Sequence, residues 1–131
     1  MTRRHVWILL AGAAALAVSG AGRAHHSFQA TYDEEAEPIE IEGVVKELVW
    51  RNPHSFLRVD VTEADGSVET WVLEWASINQ LSEAQLTRTT LLPGQQIVAS
   101  GLPPRDSGYN RLLLREVTRP SDGWAWRGRV R

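Results

Sequence analysis

From Ile39 to Thr118 apolar and polar residues alternate in short runs with a period of two, the mark of strands half-buried against a core. The longest run, Ile39 to Trp50, sets Ile39, Ile41, Val45 and Val49 on one side, and Gly43 in its interior predicts a bulge or a sharp bend. Arg51-Asn52-Pro53-His54 is a turn. Phe56 to Thr62 then places Leu57, Val59 and Val61 on one face, with Arg58 and Asp60 on the other. Asp65-Gly66 inside the polar stretch 64–67 is a strong two-residue hairpin signal. The strand that follows, Val68 to Trp75, alternates Trp71, Leu73 and Trp75 against Thr70, Val72 and Glu74.

The period changes after Trp75. Ser77 followed by Gln80 has the form of a capping box, and the spacing predicts a short helix over Ile78 to Gln85. Leu92-Pro93-Gly94 turns the chain into a fourth strand, Gln96 to Ser100. A loop with Pro103, Pro104 and Gly108 leads to a fifth, Arg111 to Thr118. Three strands, one helix and two strands, with a long bent first strand, suit a mainly β fold. The expectation is a small five-stranded Greek-key barrel of the oligonucleotide/oligosaccharide-binding (OB) type, its helix between strands three and four; an open β-sandwich fragment is the alternative. In the barrel, the loops 51–54 and 103–110 flank the usual ligand face.

The chain outside 39–119 reads differently. Residues 1–24 have the three parts of a signal peptide: Arg3 and Arg4, an apolar run from Val6 to Val18, and Gly22-Arg23-Ala24 at the cleavage position. The run is shorter than the roughly 20 apolar residues of a membrane span, so an uncleaved anchor is the weaker reading. Arg3-Arg4 leaves twin-arginine export open beside the ordinary secretory route. The expected location is periplasmic or secreted. Residues 25–38 form an acidic N-terminal arm, with Asp33, Glu34, Glu35 and Glu37 before Pro38, expected to be extended. Residues 120–131 form a Trp- and Arg-rich tail, expected to fray and able at most to touch anionic lipid headgroups weakly.

Charge narrows the partners. The chain carries 14 basic and 16 acidic residues; losing Arg3, Arg4 and Arg23 with the leader leaves 11 against 16, a formal charge of −5. Nucleic acid, which is bound largely through phosphate neutralisation, is therefore not an expected partner. There is no cysteine, hence no disulfide, thiolate ligand or lipidation site, and Met1 is the only methionine. No glycine-rich phosphate loop or nucleophile elbow is present, and nothing supplies a nucleophile, base and orienter together, so hydrolase chemistry is not expected.

The remaining candidates are histidines and tryptophans. Cleavage after Ala24 leaves His25 with a free α-amine and His26 beside it. An amine, an imidazole and a deprotonatable amide suit the tetragonal nitrogen coordination of Cu(II) or Ni(II). His54 adds a third imidazole if the arm folds back onto the turn after strand one, and Zn(II) with a carboxylate from 33–35 is a tetrahedral variant. Solvated terminal histidines, with His54 bonded to its own turn, are the plainer alternative. Trp50, Trp71 and Trp75, with Asn52 nearby, are candidates for a ligand-stacking face, although core packing is the commoner use of such tryptophans.

His25-His26-Ser27-Phe28 after the leader, Trp50-x-Asn52-Pro53-His54, Asp65-Gly66, the Trp71 strand, Thr87-Arg88 and Leu92-Pro93-Gly94 form a set. By these residues the chain resembles a group of small exported bacterial proteins classed as a domain of unknown function, number six-one-five-two in that series. Tyr32-Asp33 fits the aromatic–Asp pair usual after the histidines. Leu86 and Gln95 depart from the pattern, which commonly has a Trp before Thr-Arg and an acid after Pro-Gly. The resemblance implies an exported, barrel-like module and brings no established activity with it. The expected function is a periplasmic binding module holding copper or another divalent metal through His25, His26 and His54. The alternative is an accessory protein that binds a partner protein or a small organic ligand on the barrel face without metal. A metal-dependent enzyme is a third, weaker class.

Overall fold

The computed structural model describes residues 28–130. The proposed leader, and with it His25 and His26, lies outside the described residues. Six strands and one helix follow in chain order: β1 (Ile39–Val49), β2 (Phe56–Thr62), β3 (Val68–Glu74), α1 (Ile78–Glu83), β4 (Gln96–Leu102), β5 (Arg111–Arg119) and β6 (Trp124–Arg127). β1 pairs antiparallel with both β2 and β4; β3 pairs with β2, and β5 with β4. A short parallel pairing of β3 with β5, Val72 to Glu74 against Arg111 to Leu113, closes the five strands into a barrel. This is the OB-type strand order, with the helix between strands three and four where the change of period places it.

The inward positions are those of the alternation, with one slip. Leu57, Val59, Leu73, Ile97, Leu112 and Leu114 are fully enclosed. Leu112, Leu113 and Leu114 are all buried, so β5 is covered on both faces at this point. Gly43 is not itself the bulge: a Cβ there would lie 2.6 Å from the Asp60 carbonyl oxygen and from Val59 Cγ1, so the glycine permits close passage of β2. The register shift falls two residues later, between Val45 and Glu47. One extra residue exchanges the faces of everything beyond it. Leu48, opposite Leu57, therefore packs on the core, and Val49, expected inside, turns to the outer face.

Both flanking segments differ from expectation. Residues 28–31 form a helical turn, not an extended arm, and Phe28 and Tyr32 are buried. The loop before β5 clamps this turn: Tyr32 bridges Pro104, the Asp33 amide donates to the Pro103 carbonyl (3.0 Å), and Arg105 donates from its amide to Thr31 O (2.9 Å) and from Nε to Gln29 O (2.6 Å). The tail does not fray before 130. β6 pairs with the second half of β5, and Trp126 meets Trp75 edge-to-face, ring centroids 5.2 Å apart. The Ser77 hydroxyl caps α1 by accepting the Gln80 amide (3.2 Å), while Gln80 Nε2 donates to Arg129 O (2.5 Å) and ties the tail to the helix.

Candidate functional site

The hairpin register set by Asp65-Gly66 places Phe56 opposite Glu74, and the ladder continues through Ser55, whose amide donates to Ala76 O (2.9 Å). His54 thus arrives at the end of β3 beside Glu74. Its loop is held at several points. The Ser55 hydroxyl donates to Arg51 O (3.2 Å), the Arg51 amide donates to Ser55 Oγ (3.3 Å), and Asn52 Oδ1 accepts the Ile78 amide (2.9 Å). The Asn52–Pro53 peptide is cis.

Glu74 is the centre of the arrangement. It belongs to the outward phase of β3, yet its side chain is only 10% exposed, because the 28–32 segment and His54 cover it. Oε1 lies 3.0 Å from Nδ1 of His54. Oε2 accepts the Tyr32 hydroxyl at 2.6 Å and Arg111 Nη2 at 2.8 Å, and Arg111 Nε donates to the Tyr32 oxygen at 2.7 Å. Phe28 lies over the imidazole, ring centroids 4.7 Å apart. Burial, and then the bond to the neighbouring Glu74 carboxylate, pushes the Tyr32 hydroxyl well above the usual tyrosine range. Tyr32 therefore stays a neutral donor throughout the physiological range.

The tautomer of His54 follows from this geometry. A carboxylate only accepts, so Nδ1 carries the proton of the bond, and in the neutral ring Nε2 is left with the lone pair. Among the described residues Nε2 has no hydrogen-bond partner. A histidine whose one nitrogen is held by a buried carboxylate and whose other nitrogen is free is the usual arrangement of a metal-ligating imidazole. Among the described residues no three acidic or histidine side chains are grouped to hold a metal, and His54 is the single described histidine.

The other sequence candidates are dispersed. Trp75 is fully enclosed and Trp71 and Trp50 pack on the core from its margin, so the three do not form an open stacking face. The buried indole N–H groups of Trp71 and Trp75 have no partner among the described residues. Asn52 spends its side-chain oxygen on the start of α1. Glu74 and Arg111 carry no site signal in the sequence, and Phe28 and Tyr32 enter it only as residues of the family pattern, with no role attached. An acid alternating with tryptophans reads as a solvent-facing strand position, although the hairpin register already sets Glu74 two residues from the level of His54.

A family model described as a family of unknown function (DUF6152) matches residues 5–112, and the chain belongs to that family. No curated protein and no solved structure matches the chain.

Proposed function

We propose, for this member of a family without an assigned activity, an exported periplasmic binding module that holds a divalent metal through His25, His26 and His54, copper first. The observation that carries the reading is the 3.0 Å contact between His54 Nδ1 and the buried Glu74 carboxylate, which leaves Nε2 available as a ligand. Phe28, in contact with the imidazole, is two residues after His26, and two residues of chain span at most about 7 Å. The described chain thus begins against His54, which supports the reading.

The donor set favours Cu(II) or Ni(II). Three imidazoles and a terminal amine are nitrogen ligands of the kind tetragonal ions prefer, and the one sulfur of the sequence, in Met1, belongs to the proposed leader, so nothing in the mature chain favours Cu(I). The Zn(II) variant needs a carboxylate from 33–35. Asp33 Oδ1 already accepts the Glu35 amide (3.2 Å), with Arg105 3.9 Å away, which weakens that choice. Binding and orientation of the ion are the work these residues can do; the neutral Tyr32 and the Arg111–Glu74 pair hold the imidazole from behind.

Intact-mass analysis of protein recovered from the periplasm, followed by calorimetric titration with Cu(II), tests both halves. The expected result is a chain beginning at His25 that binds one copper, with affinity lost in the His25→Ala, His26→Ala double variant. A different terminus, or copper uptake indifferent to the double substitution, would overturn the reading.

A further inference from the structure

The outer face of the barrel carries a second chemistry that the metal reading does not use. Two cross-strand rows meet there. One runs Glu47, Arg58, Val72 and Arg111 across β1, β2, β3 and β5; the next runs Val49, Phe56 and Glu74. Between them is a hollow of about 270 Å³ lined by Val49, Arg51, Phe56, Arg58, Val72 and Arg111. Its apolar surface is Phe56 between two valines, and its polar lining is three guanidinium groups. Val49 lines it only because the bulge in β1 turned that residue outward.

The three arginines are not equivalent. Arg111 gives Nη2 to Glu74 and Nε to Tyr32, and Arg58 faces Glu47 at 3.4 Å, both partners being half-exposed. Arg51 meets no carboxylate among the described residues; its guanidinium carbon stands 4.9 Å above the Phe56 ring, with that of Arg111 5.9 Å from the same ring. A guanidinium resting on an aromatic face keeps its in-plane N–H donors available. The lining therefore has a local excess of one positive charge in a chain whose formal charge is −2, with fork-shaped donors above an apolar floor.

We infer that this hollow binds a small organic monocarboxylate with a flat apolar body, the carboxylate taken by Arg51 and Arg58 and the body lying against Val49, Val72 and the margin of the Phe56 ring beside the stacked Arg51. One net charge matches a monoanion better than a phosphate dianion. The volume lies just below the range of drug-sized ligand sites, which limits the ligand to a compact molecule. The apolar floor gives a bare inorganic anion nothing to cover. The inference does not depend on metal binding by His25, His26 and His54.

Calorimetric titration of the purified protein with benzoate, benzamide and inorganic phosphate tests it. Benzoate is expected to saturate at one molecule per chain with millimolar or tighter affinity, and benzamide, the same shape without the charge, to bind about tenfold more weakly. Phosphate is expected to bind more weakly than benzoate. Arg51→Ala with Arg58→Ala is expected to cost at least about tenfold in benzoate affinity while leaving the melting temperature near that of the parent. The His25→Ala, His26→Ala variant should bind benzoate normally, which separates this site from the metal site. Absence of saturable benzoate binding, equal affinity for benzamide, phosphate bound as tightly as benzoate, or indifference to the arginine substitutions would each overturn the inference.

Discussion

His54 Nδ1 lies 3.0 Å from Glu74 Oε1, so a loop residue at one end of the barrel is fixed to the outward phase of β3. The contact has consequences on both sides. On the imidazole it sets the tautomer. On the carboxylate it completes a set of partners whose other members, Tyr32 and Arg111, come from the start of the described chain and from the strand that closes the barrel. The same carboxylate therefore joins the N-terminal turn, the loop after β1 and the β3–β5 closure.

Replacing Glu74 by Gln keeps the shape and removes the charge. Arg111 is left without its carboxylate and the Tyr32 hydroxyl with a weaker acceptor. Because Arg111 is about one-third exposed, the expected loss is about 2–3 kcal/mol, below the range for breaking a fully buried pair and near that of hydrogen bonds to a charged group. Urea denaturation measures it. A loss smaller than about 0.5 kcal/mol would mean that the carboxylate does not hold these elements together. The same variant is expected to bind Cu(II) about 10- to 100-fold more weakly, because it loosens the orientation of His54.

Tyr32 gives the fold an alkaline signature. Its folded-state pKa is raised, first by burial and then by Glu74, so between the ordinary tyrosine value and the raised one the native chain holds a proton that the unfolded chain has released. The stabilisation is complete below about pH 10 and is lost as pH rises beyond it, by about 1.4 kcal/mol per pH unit for one proton. Stability curves across that range are expected to show the slope in the parent and to lose that contribution in Tyr32→Phe. An unchanged slope in the variant would assign the alkaline loss to another group.

Much of this architecture can be seen in the sequence. Alternation in 56–62 and 68–75 with Asp65-Gly66 between them gives two strands and their register, and the Ser77 cap marks where the helix must begin. The bulge in β1 is harder to see, because Gly43 draws attention to itself while the extra residue is at Lys46, and the slip sends Val49 rather than Leu48 outward. A single helical turn at 28–31 is too short to show a 3.6-residue period, so the burial of Phe28 and Tyr32 does not show in the sequence of this acidic segment, even though both residues belong to the family pattern. Trp124-Ala125-Trp126-Arg127 does alternate, but four residues after a turn do not distinguish a strand from a tail. Histidine at 54 stands out by its chemistry; its partner Glu74 does not, since nothing local separates a covered acid from a solvated one.

The paired tail is expected to matter for stability. Trp126→Ala removes the edge-to-face contact with Trp75 and empties space beside an enclosed indole. The expected cost is about 3 kcal/mol, with loss of the near-ultraviolet circular dichroism that the tryptophan pair contributes. Thermal and urea unfolding check the first, the spectrum of the folded variant the second. A variant as stable as the parent would show that β6 is an ornament on the barrel.

The proposed function rests on His54 as a metal ligand held in place by Glu74. Electron paramagnetic resonance of the protein loaded with one Cu(II), compared between parent and His54→Ala, tests it most directly. The expected result is a tetragonal spectrum with nitrogen hyperfine structure in the parent and the loss of one imidazole nitrogen in the variant. Superimposable spectra would contradict the claim and leave His54 a structural partner of Glu74 alone.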